Sequence, residues 1–202
     1  MSIDAKRATD VLVSAVGLVA TSPVLAACAV AVKAGDRGPV LFRQTRVGLH
    51  GKPFQILKLR SMRVAGAGAE VTSAGDDRIT PVGRVLRRTK LDELPQLLNV
   101  LRGDMSLVGP RPEVPRYVAE WPAEARELIL SVRPGITDPA SLAFVDEEAQ
   151  LAEADDPEQH YLDVVLPAKV ALYVDYVRHR TLAGDARIVW QTVATVLGRA
   201  RA

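Results

Sequence analysis

Two adjacent acids, Asp92 and Glu93, lie in a part of the chain that is rich in cations. Four Lys and Arg residues precede the pair within nine residues, and Arg111 follows it in a Gly-Pro-Arg-Pro turn. In one interpretation the acids begin a helix, where a carboxylate caps free amides and complements the helix dipole, for about 0.5–2 kcal/mol. In the other, the same helix start and its arginines hold a phosphate group. The spacing alone leaves both interpretations open.

The phosphate interpretation requires a cation, because the carboxylate would otherwise face an anionic substrate. Mg²⁺ prefers carboxylate and phosphate oxygens and usually takes only one or two protein ligands. With Mg²⁺ and the arginines neutralising a pyrophosphate, the carboxylate would be free to attack phosphorus. The residue types thus allow magnesium-assisted phosphoryl transfer, although they do not single it out.

The charges are distributed unevenly along 202 residues whose formal net charge is only +2. Residues 33–63 carry eight Lys and Arg but one acid, which indicates an anionic partner: a phosphate, a nucleic acid or a lipid headgroup. Residues 146–158 carry seven acids and no Lys or Arg, and we predict a solvated surface there.

The single cysteine, Cys28, excludes an intramolecular disulfide and a cysteine-based zinc site. The length favours one domain over residues 1–202.

An uncharged run of 22 residues from Val11 to Val32 is long enough for a transmembrane helix. Pro23 lies in its middle, and the hydroxyl of Ser22 can satisfy a carbonyl that the proline leaves free. Each arm then measures about 16 Å, too short to cross a hydrocarbon core of about 30 Å. Basic residues flank both ends, whereas a spanning helix usually carries its positive excess on one side. We therefore predict a re-entrant hairpin over residues 1–36 with its break at Ser22-Pro23, and a plain span is the alternative.

The rest of the chain predicts an α+β protein that is mostly helical, with a few short strands and interfacial amphipathic helices. Short strands are expected at 40–42 and 54–59, and a mobile loop at 65–77. Thr80 and Pro81 predict a helix start, because a capping residue is followed by proline at the first helical position. That helix should run to about Arg88. Further helices are expected at 92–102, 124–132, 161–180 and 185–197.

The longest motif is RRTKLDELPQLLNVLRGDMSLVGPRPE, residues 87–113. It resembles the signature of the bacterial sugar transferases, in particular the small monotopic polyprenyl-phosphate phosphoglycosyl transferases. The resemblance continues upstream through RQTRVGLHGKPFQILKLRSM at 43–62 and downstream through RPGIT at 133–137. The chain departs from the family at Asp138-Pro139-Ala140-Ser141, where many members continue with Gly. This loop is expected to shape the sugar pocket, so the identity of the sugar cannot be taken from any relative.

The resemblance implies a UDP-sugar:polyprenyl-phosphate sugar-phosphate transferase whose nucleophile is Asp92. This carboxylate would displace UMP to give a covalent phosphosugar-aspartyl intermediate, which undecaprenyl phosphate would then attack. Glu93 would position the metal or the acceptor phosphate, Asp92 would contact Mg²⁺, and Arg111 would bind the nucleotide's phosphates. Arg87 has an equal structural alternative, an ion pair with Asp185. The remaining substrate-binding candidates are Lys58, Arg60, Arg87, Pro110, Pro112 and Arg133.

The resemblance also places the protein on the cytoplasmic face of the bacterial inner membrane, at the first membrane step of glycoconjugate assembly. It divides the chain into a membrane anchor at 1–36 and a cytosolic catalytic part at 37–202, and it is compatible with a homodimer. A non-catalytic scaffold that binds anionic lipid is the alternative function. The two differ at Asp92, because only the transferase would lose turnover on substitution to Asn. Nucleic-acid binding is disfavoured, because the basic segment offers only Phe42 and Phe54 for base stacking.

Overall fold

A computed structural model describes residues 3–63 and 76–201. Within these ranges the chain is mostly helical, with four short strands, as the sequence predicts. Most of the predicted loop at 65–77 lies outside the described residues. The strands are β1 (Leu41–Val47), β2 (Pro53–Leu59), β3 (Ser106–Val108) and β4 (Gly135–Thr137). The helices are α1 (Ile3–Asp36), α2 (Pro81–Arg88), α3 (Gln96–Arg102), α4 (Pro115–Ala119), α5 (Ala123–Leu130), α6 (Pro139–Ala143), α7 (Glu147–Ala152), α8 (Pro157–His160), α9 (Leu166–His179) and α10 (Leu182–Arg201).

The N-terminal helix α1 runs without interruption through Ser22 and Pro23, so the expected break is not present in its secondary structure. Its 34 residues correspond to about 51 Å at helical rise. Proline cannot donate to the carbonyl four residues earlier, which belongs to Val19. The Ser22 hydroxyl donates to that carbonyl over 2.7 Å, which confirms the predicted role of the serine. The helix is therefore continuous because the hydrogen bond that the proline removes is replaced.

Both ends of α1 contact the same folded body. Near the start, the Arg7 guanidinium donates to the Leu101 carbonyl at the C-terminus of α3 over 3.2 Å. Near the end, Val32 is buried in a cluster with Leu59 and Leu86. Arg7 therefore faces the protein rather than a lipid surface, which weakens the flanking-charge argument for the hairpin. The helix is long and apolar enough to cross a membrane, and only 6% of the residues in its most apolar part are buried inside the protein.

Strands β1 and β2 form an antiparallel hairpin that pairs Leu41 with Leu59 and Val47 with Pro53. A one-turn 3₁₀ helix at Leu49–Gly51 connects them, and the positive φ of 76° at Gly51 explains the glycine there. Leu57 and Leu59 lie on one face of β2, and Lys58 lies on the other face with Ile56, which is buried against Val100 and Met105. The predicted strand at 40–42 is thus only the beginning of a longer one.

Strands β3 and β4 pair in parallel, with Ser106 opposite Gly135 and Val108 opposite Thr137. This pairing brings together the Gly-Pro-Arg-Pro and Arg-Pro-Gly-Ile-Thr motifs. The two backbones are so close that a Cβ atom on Gly109 would lie 2.4 Å from the Arg133 carbonyl oxygen. Only glycine fits at this position, because any larger side chain would push the strands apart.

The main hydrophobic core lies where α4, α5 and α9 meet, around the fully buried Tyr173 and Trp121. The predicted helix at 161–180 begins with a π-helical turn, Tyr161–Val165, before α9. The predicted start of α2 is confirmed, since the Thr80 hydroxyl accepts a hydrogen bond from the Gly83 amide over 2.9 Å.

Candidate active site

The two acids lie in a 3₁₀ turn, Leu91–Glu93, between α2 and α3. Lys90 precedes the turn in the left-handed region, with φ of 55°, and turns the chain sharply after α2. Helix α3 begins only at Gln96, so the predicted start near Asp92 is four residues too early. Pro95 stands at the cap position without a side-chain capping bond. The helix-cap interpretation of the acids is therefore wrong, and another reason for their burial is needed.

Glu93 is 8% exposed and holds two cations. Its carboxylate accepts from the Lys58 ammonium over 2.9 Å and from the Arg111 guanidinium over 2.7 Å. Burial alone would raise the pKa of Glu93, but the charges of Arg111 and Lys58 outweigh burial and hold this pKa well below its usual range. Glu93 is therefore ionised and is the residue that ties β2 to the Gly-Pro-Arg-Pro turn.

Asp92 behaves differently, although it is adjacent. It is 5% exposed, and its Oδ1 atom is buried without a hydrogen-bond partner among residues 3–63 and 76–201. Burial raises the pKa of Asp92, with Glu93 adding to the shift and Lys58 opposing it. Neighbouring acids with pKa values driven apart are typical of catalytic sites. The arrangement leaves Asp92 as the carboxylate whose oxygen is available for chemistry.

Glu93 and Arg111 line a cleft of about 830 Å³, which is large enough for a nucleotide sugar. Asp92 and Lys58 do not line it in this conformation. The cationic wall, meaning the Lys and Arg residues of the lining, consists of Arg84, Arg87, Arg88, Lys90, Arg111 and Lys169. The apolar wall, meaning the apolar residues that α10 contributes, includes Val189, Val193, Val196 and Leu197. Such a cleft suits a phosphate ester that carries an apolar group.

The three other arginine candidates differ in whether they line the cleft. Arg87 lines the cleft and forms an ion pair with Glu148 rather than with Asp185, so the structural alternative is wrong in its partner. Arg60 is buried away from the cleft and donates to the Pro39 carbonyl. Arg133 donates to the Gly103 carbonyl over 2.8 Å, outside the residues that line the cleft.

The two prolines beside Arg111 fix its backbone through their carbonyls. The Pro110 carbonyl accepts from the Gly135 amide over 3.0 Å. The Pro112 carbonyl accepts from the Arg46 guanidinium over 3.1 Å. These two carbonyl bonds fix the turn that presents Arg111 to Glu93, so the prolines act as a scaffold for that arginine.

The sequence predicts a solvated surface at residues 146–158, but two acids of this stretch form ion pairs beside the cleft. Glu147 forms an ion pair with Lys169, whose side chain is almost fully buried. Glu148 reaches Arg87, and both acids line the cleft. Two members of the stretch therefore close one side of the candidate site.

Two buried amide side chains near the site were missed by the sequence analysis. Gln96 lies four residues after Asp92, and both of its amide atoms lack partners among the described residues. Asn99 accepts from the Leu57 amide over 3.0 Å and donates to the Gln55 carbonyl over 2.8 Å. The available signal was a polar residue in the otherwise apolar run Leu97–Leu101. Asn99 joins α3 to β2 and so fixes the distance between the acids and Lys58.

A metal ion would depend on few protein ligands here. No group of three or more His, Cys, Asp or Glu side chains that could hold a metal occurs in the described part of the chain. Both Glu93 oxygens are bonded to cations, whereas the Asp92 carboxylate has no hydrogen bond within the described ranges, which leaves this carboxylate as the candidate ligand. One carboxylate oxygen fits Mg²⁺, which usually binds through one or two carboxylates together with substrate phosphates.

Comparison with known proteins identifies the family of the chain. A family model described as bacterial sugar transferase matches residues 1–199. The UDP-glucose:undecaprenyl-phosphate glucose-1-phosphate transferase of Caulobacter vibrioides is 41% identical over 95% of this chain and 69% of its own length. The UDP-N-acetylgalactosamine-undecaprenyl-phosphate N-acetylgalactosaminephosphotransferase of Aeromonas hydrophila is 37% identical over 95% of this chain but 43% of its own length. The exopolysaccharide production protein PSS of Rhizobium leguminosarum bv. phaseoli is 34% identical over 99% of its length. The acid pair, its cations and these matches together show that the chain belongs to the bacterial sugar transferase family.

Proposed function

We propose that the protein transfers a sugar 1-phosphate from a UDP-sugar to undecaprenyl phosphate and releases UMP. The observation that carries this proposal is the buried cluster of two acids and two cations, Asp92, Glu93, Lys58 and Arg111, of which Glu93 and Arg111 line the cleft. The names of the relatives supply the classes of donor and acceptor. The cationic wall matches the donor's pyrophosphate, and the apolar wall matches the polyprenyl chain.

In the first step, a carboxylate oxygen of Asp92 attacks the phosphorus that bears the sugar. The bond from this phosphorus to the bridging oxygen breaks, and UMP leaves with that oxygen. The product is a sugar phosphate joined to Asp92 as an acyl phosphate. Because Asp92 does not line the cleft in this structure, the attack requires its side chain or the Glu93–Arg111 pair to move when the donor binds.

In the second step, a phosphate oxygen of undecaprenyl phosphate attacks the same phosphorus. The bond to Asp92 breaks, the carboxylate is restored, and a lipid-linked diphosphosugar is formed. Splitting the transfer in this way replaces one difficult displacement with two easier ones. The same cations serve both steps, because each step places negative charge on the same phosphoryl group.

The cations have distinct roles that follow from their contacts. Arg111 is a planar donor beside Glu93 and can turn one edge toward a phosphate. Burial lowers the pKa of Lys58, against the effect of Glu93, so a further anion nearby would stabilise this ammonium. Arg87 would exchange Glu148 for the donor's phosphate. Arg60 and Arg133 support the site through backbone carbonyls.

Magnesium fits this scheme as the cofactor. Asp92 would hold it through its carboxylate, with the donor's phosphates supplying the other oxygen ligands. When bound, the ion neutralises charge on the transferred phosphoryl group. Glu93 keeps Lys58 and Arg111 in place on either side of that group.

The proposed membrane position rests on α1 and α10. Contacts of both ends of α1 with the same body support a position of both ends on one side of the bilayer, with 37–202 as the cytosolic catalytic part. The outer face of α1 is apolar and enters the lipid, where a bend at Ser22-Pro23 would give the re-entrant hairpin. Trp190 is 72% exposed and follows Val189 of the apolar wall, which makes it a candidate interfacial anchor.

The test measures UMP release and labelled lipid together. The protein in lipid nanodiscs receives undecaprenyl phosphate, Mg²⁺ and one of several UDP-sugars labelled in the sugar. We expect UMP and an organic-extractable labelled lipid in equal amounts for at least one sugar, and neither product with Asp92→Asn. Labelled lipid formed by Asp92→Asn at the wild-type rate, or wild-type protein inactive with every sugar, would contradict the proposal.

A further inference from the structure

A second buried polar cluster lies outside the cleft and joins four elements of the fold. The tether cluster consists of Lys6, Asp10, Ser106, Tyr176 and Asp185, from α1, β3, α9 and α10. The Lys6 ammonium lies 2.6 Å from Asp185 and 3.7 Å from Asp10. Asp10 accepts from the Ser106 hydroxyl over 2.7 Å. The Tyr176 hydroxyl lies 2.8 Å from Asp185 and 3.1 Å from the Val108 carbonyl.

The tether cluster is unusual because its charges are nearly inaccessible to water. The side chain of Lys6 is 12% exposed, and those of Asp10 and Asp185 are 6% and 9% exposed. Buried ion pairs are weak contributors to stability, since desolvation offsets much of the attraction between the charges. They are strongly directional, however, because a misplaced partner leaves a buried charge uncompensated. The cluster therefore specifies a position more than it adds stability.

The position that it specifies belongs to strand β3. Asp10 accepts from the Ser106 hydroxyl and also from the Leu107 amide over 3.3 Å, and Tyr176 reaches the carbonyl of Val108. Thus every residue of β3 contacts the tether cluster or belongs to it. Three residues further along the chain is Arg111, the partner of Glu93.

The connection from β3 to Arg111 is rigid. The Ser106 amide donates to the Pro134 carbonyl over 2.8 Å, and the Gly109 amide donates to the Thr137 carbonyl over 3.1 Å. Gly109 packs against the Arg133 carbonyl with no room for a Cβ atom. A displacement of β3 therefore reaches Arg111 instead of being absorbed in a flexible loop.

We propose that Lys6, Asp10 and Asp185 are positioning residues that couple the seating of the apolar helix α1 to the placement of Arg111. The proposal rests on the proposed function. Lys6 has its ammonium inside the protein between two carboxylates, so its task differs from attraction to lipid headgroups. When α1 is correctly seated in the bilayer, Lys6 and Asp10 hold β3, and Arg111 faces Glu93 and the donor.

The test compares Lys6→Met and Asp185→Asn with two controls in nanodiscs. Lys33→Met is the matched control, because Lys33 is on the same helix, at its other end, and is exposed with bonds to local carbonyls. Val165→Ala leaves a cavity in the main core, away from the tether cluster, and so controls for lost stability. For each variant, kcat and KM for the UDP-sugar and the thermal midpoint are measured.

We expect kcat to fall about 10- to 100-fold in Lys6→Met and Asp185→Asn, because small displacements of catalytic groups have effects of that size. KM should stay within about twofold, since the three arginines of the cleft that lie on α2, Arg84, Arg87 and Arg88, are untouched. Lys6→Arg should restore kcat, and both controls should keep it. Asp185→Asn retains an acceptor for Tyr176, so it is the variant to use if Lys6→Met fails to fold.

Three results would overturn the proposal. The first is a kcat in Lys6→Met and Asp185→Asn that matches Val165→Ala at an equal loss of thermal midpoint, which would make the cluster merely structural. The second is an equal loss in Lys33→Met, which would assign the effect to lipid headgroups. The third is a rise in KM without a fall in kcat. Wild-type protein without UMP release would instead refute the proposed function, so the two failures are distinguishable.

Discussion

Substitution of the two adjacent acids should have opposite effects on stability, because only Glu93 is paired with cations. Glu93→Gln removes the charge that neutralises Lys58 and Arg111, at 2.9 Å and 2.7 Å. Breaking a buried ion pair costs about 3–5 kcal/mol. The amide oxygen of Gln still accepts one hydrogen bond and Arg111 keeps some contact with water, so we expect a loss of about 3 kcal/mol. In a chain of this size the thermal midpoint should fall by roughly 6–12 °C.

Asp92→Asn should raise the thermal midpoint or leave it unchanged. Burial raises the pKa of Asp92, which means that the folded protein holds this proton more tightly than the unfolded chain does. The resulting stabilisation is present below the unfolded pKa of about 3.9 and is lost as pH rises through the folded pKa. At pH 7 the ionised carboxylate therefore costs folding free energy, and the neutral amide removes that cost.

The assay is thermal unfolding followed by tryptophan fluorescence in nanodiscs at pH 7, since Trp121 is buried in the main core. Both variants should lose UMP release, so activity alone does not separate the two acids. Equal destabilisation by both substitutions would refute the assignment of the ion pairs to Glu93. Greater destabilisation by Asp92→Asn would refute the pKa argument.

Three further changes test separate parts of the site. Arg111→Lys should lower kcat about 10- to 100-fold, because an ammonium cannot replace the planar guanidinium between Glu93 and a phosphate; wild-type kcat would contradict this role. In the pH profile of kcat/KM, the acid limb should lie above the ordinary Asp pKa of about 3.9, because burial raises the pKa of Asp92 and only its ionised form attacks. The variant Asp92→Glu tests whether that limb shifts. Trp190→Ala should weaken binding to lipid vesicles in a flotation assay without changing the thermal midpoint; unchanged flotation would remove Trp190 as an interfacial anchor.

The sequence predicts the local features of the fold well, since each rests on neighbouring residues. Thr80 caps α2 as expected, and Ser22 bonds the carbonyl that Pro23 leaves free. The start of α3 was placed too early, because acids followed by proline suggest a helix start when the structure has a separate 3₁₀ turn. Local patterns thus identify elements more reliably than their ends.

Contacts between distant parts of the chain were not predictable from spacing. Lys58 and Glu93 are 35 positions apart and meet because Asn99 joins α3 to β2. Asp185 pairs with Lys6 at the opposite end of the chain, not with Arg87. The parallel pairing of β3 and β4 likewise depends on how two short strands pack. The motif at 87–113 nevertheless indicated both acids and Arg111, because its resemblance to the bacterial sugar transferases implies roles for them.

The most direct test of the proposed mechanism is a single-turnover experiment without the lipid acceptor. Wild-type protein and Asp92→Asn are mixed with Mg²⁺ and the UDP-sugar identified by the UMP assay, and UMP and intact protein mass are measured. We expect a burst of about one UMP per wild-type protein and a mass increase equal to one sugar phosphate, lost on adding undecaprenyl phosphate. Asp92→Asn should give neither. Turnover that strictly requires acceptor, with no burst and no mass change, would contradict attack by Asp92 and indicate direct transfer to the lipid.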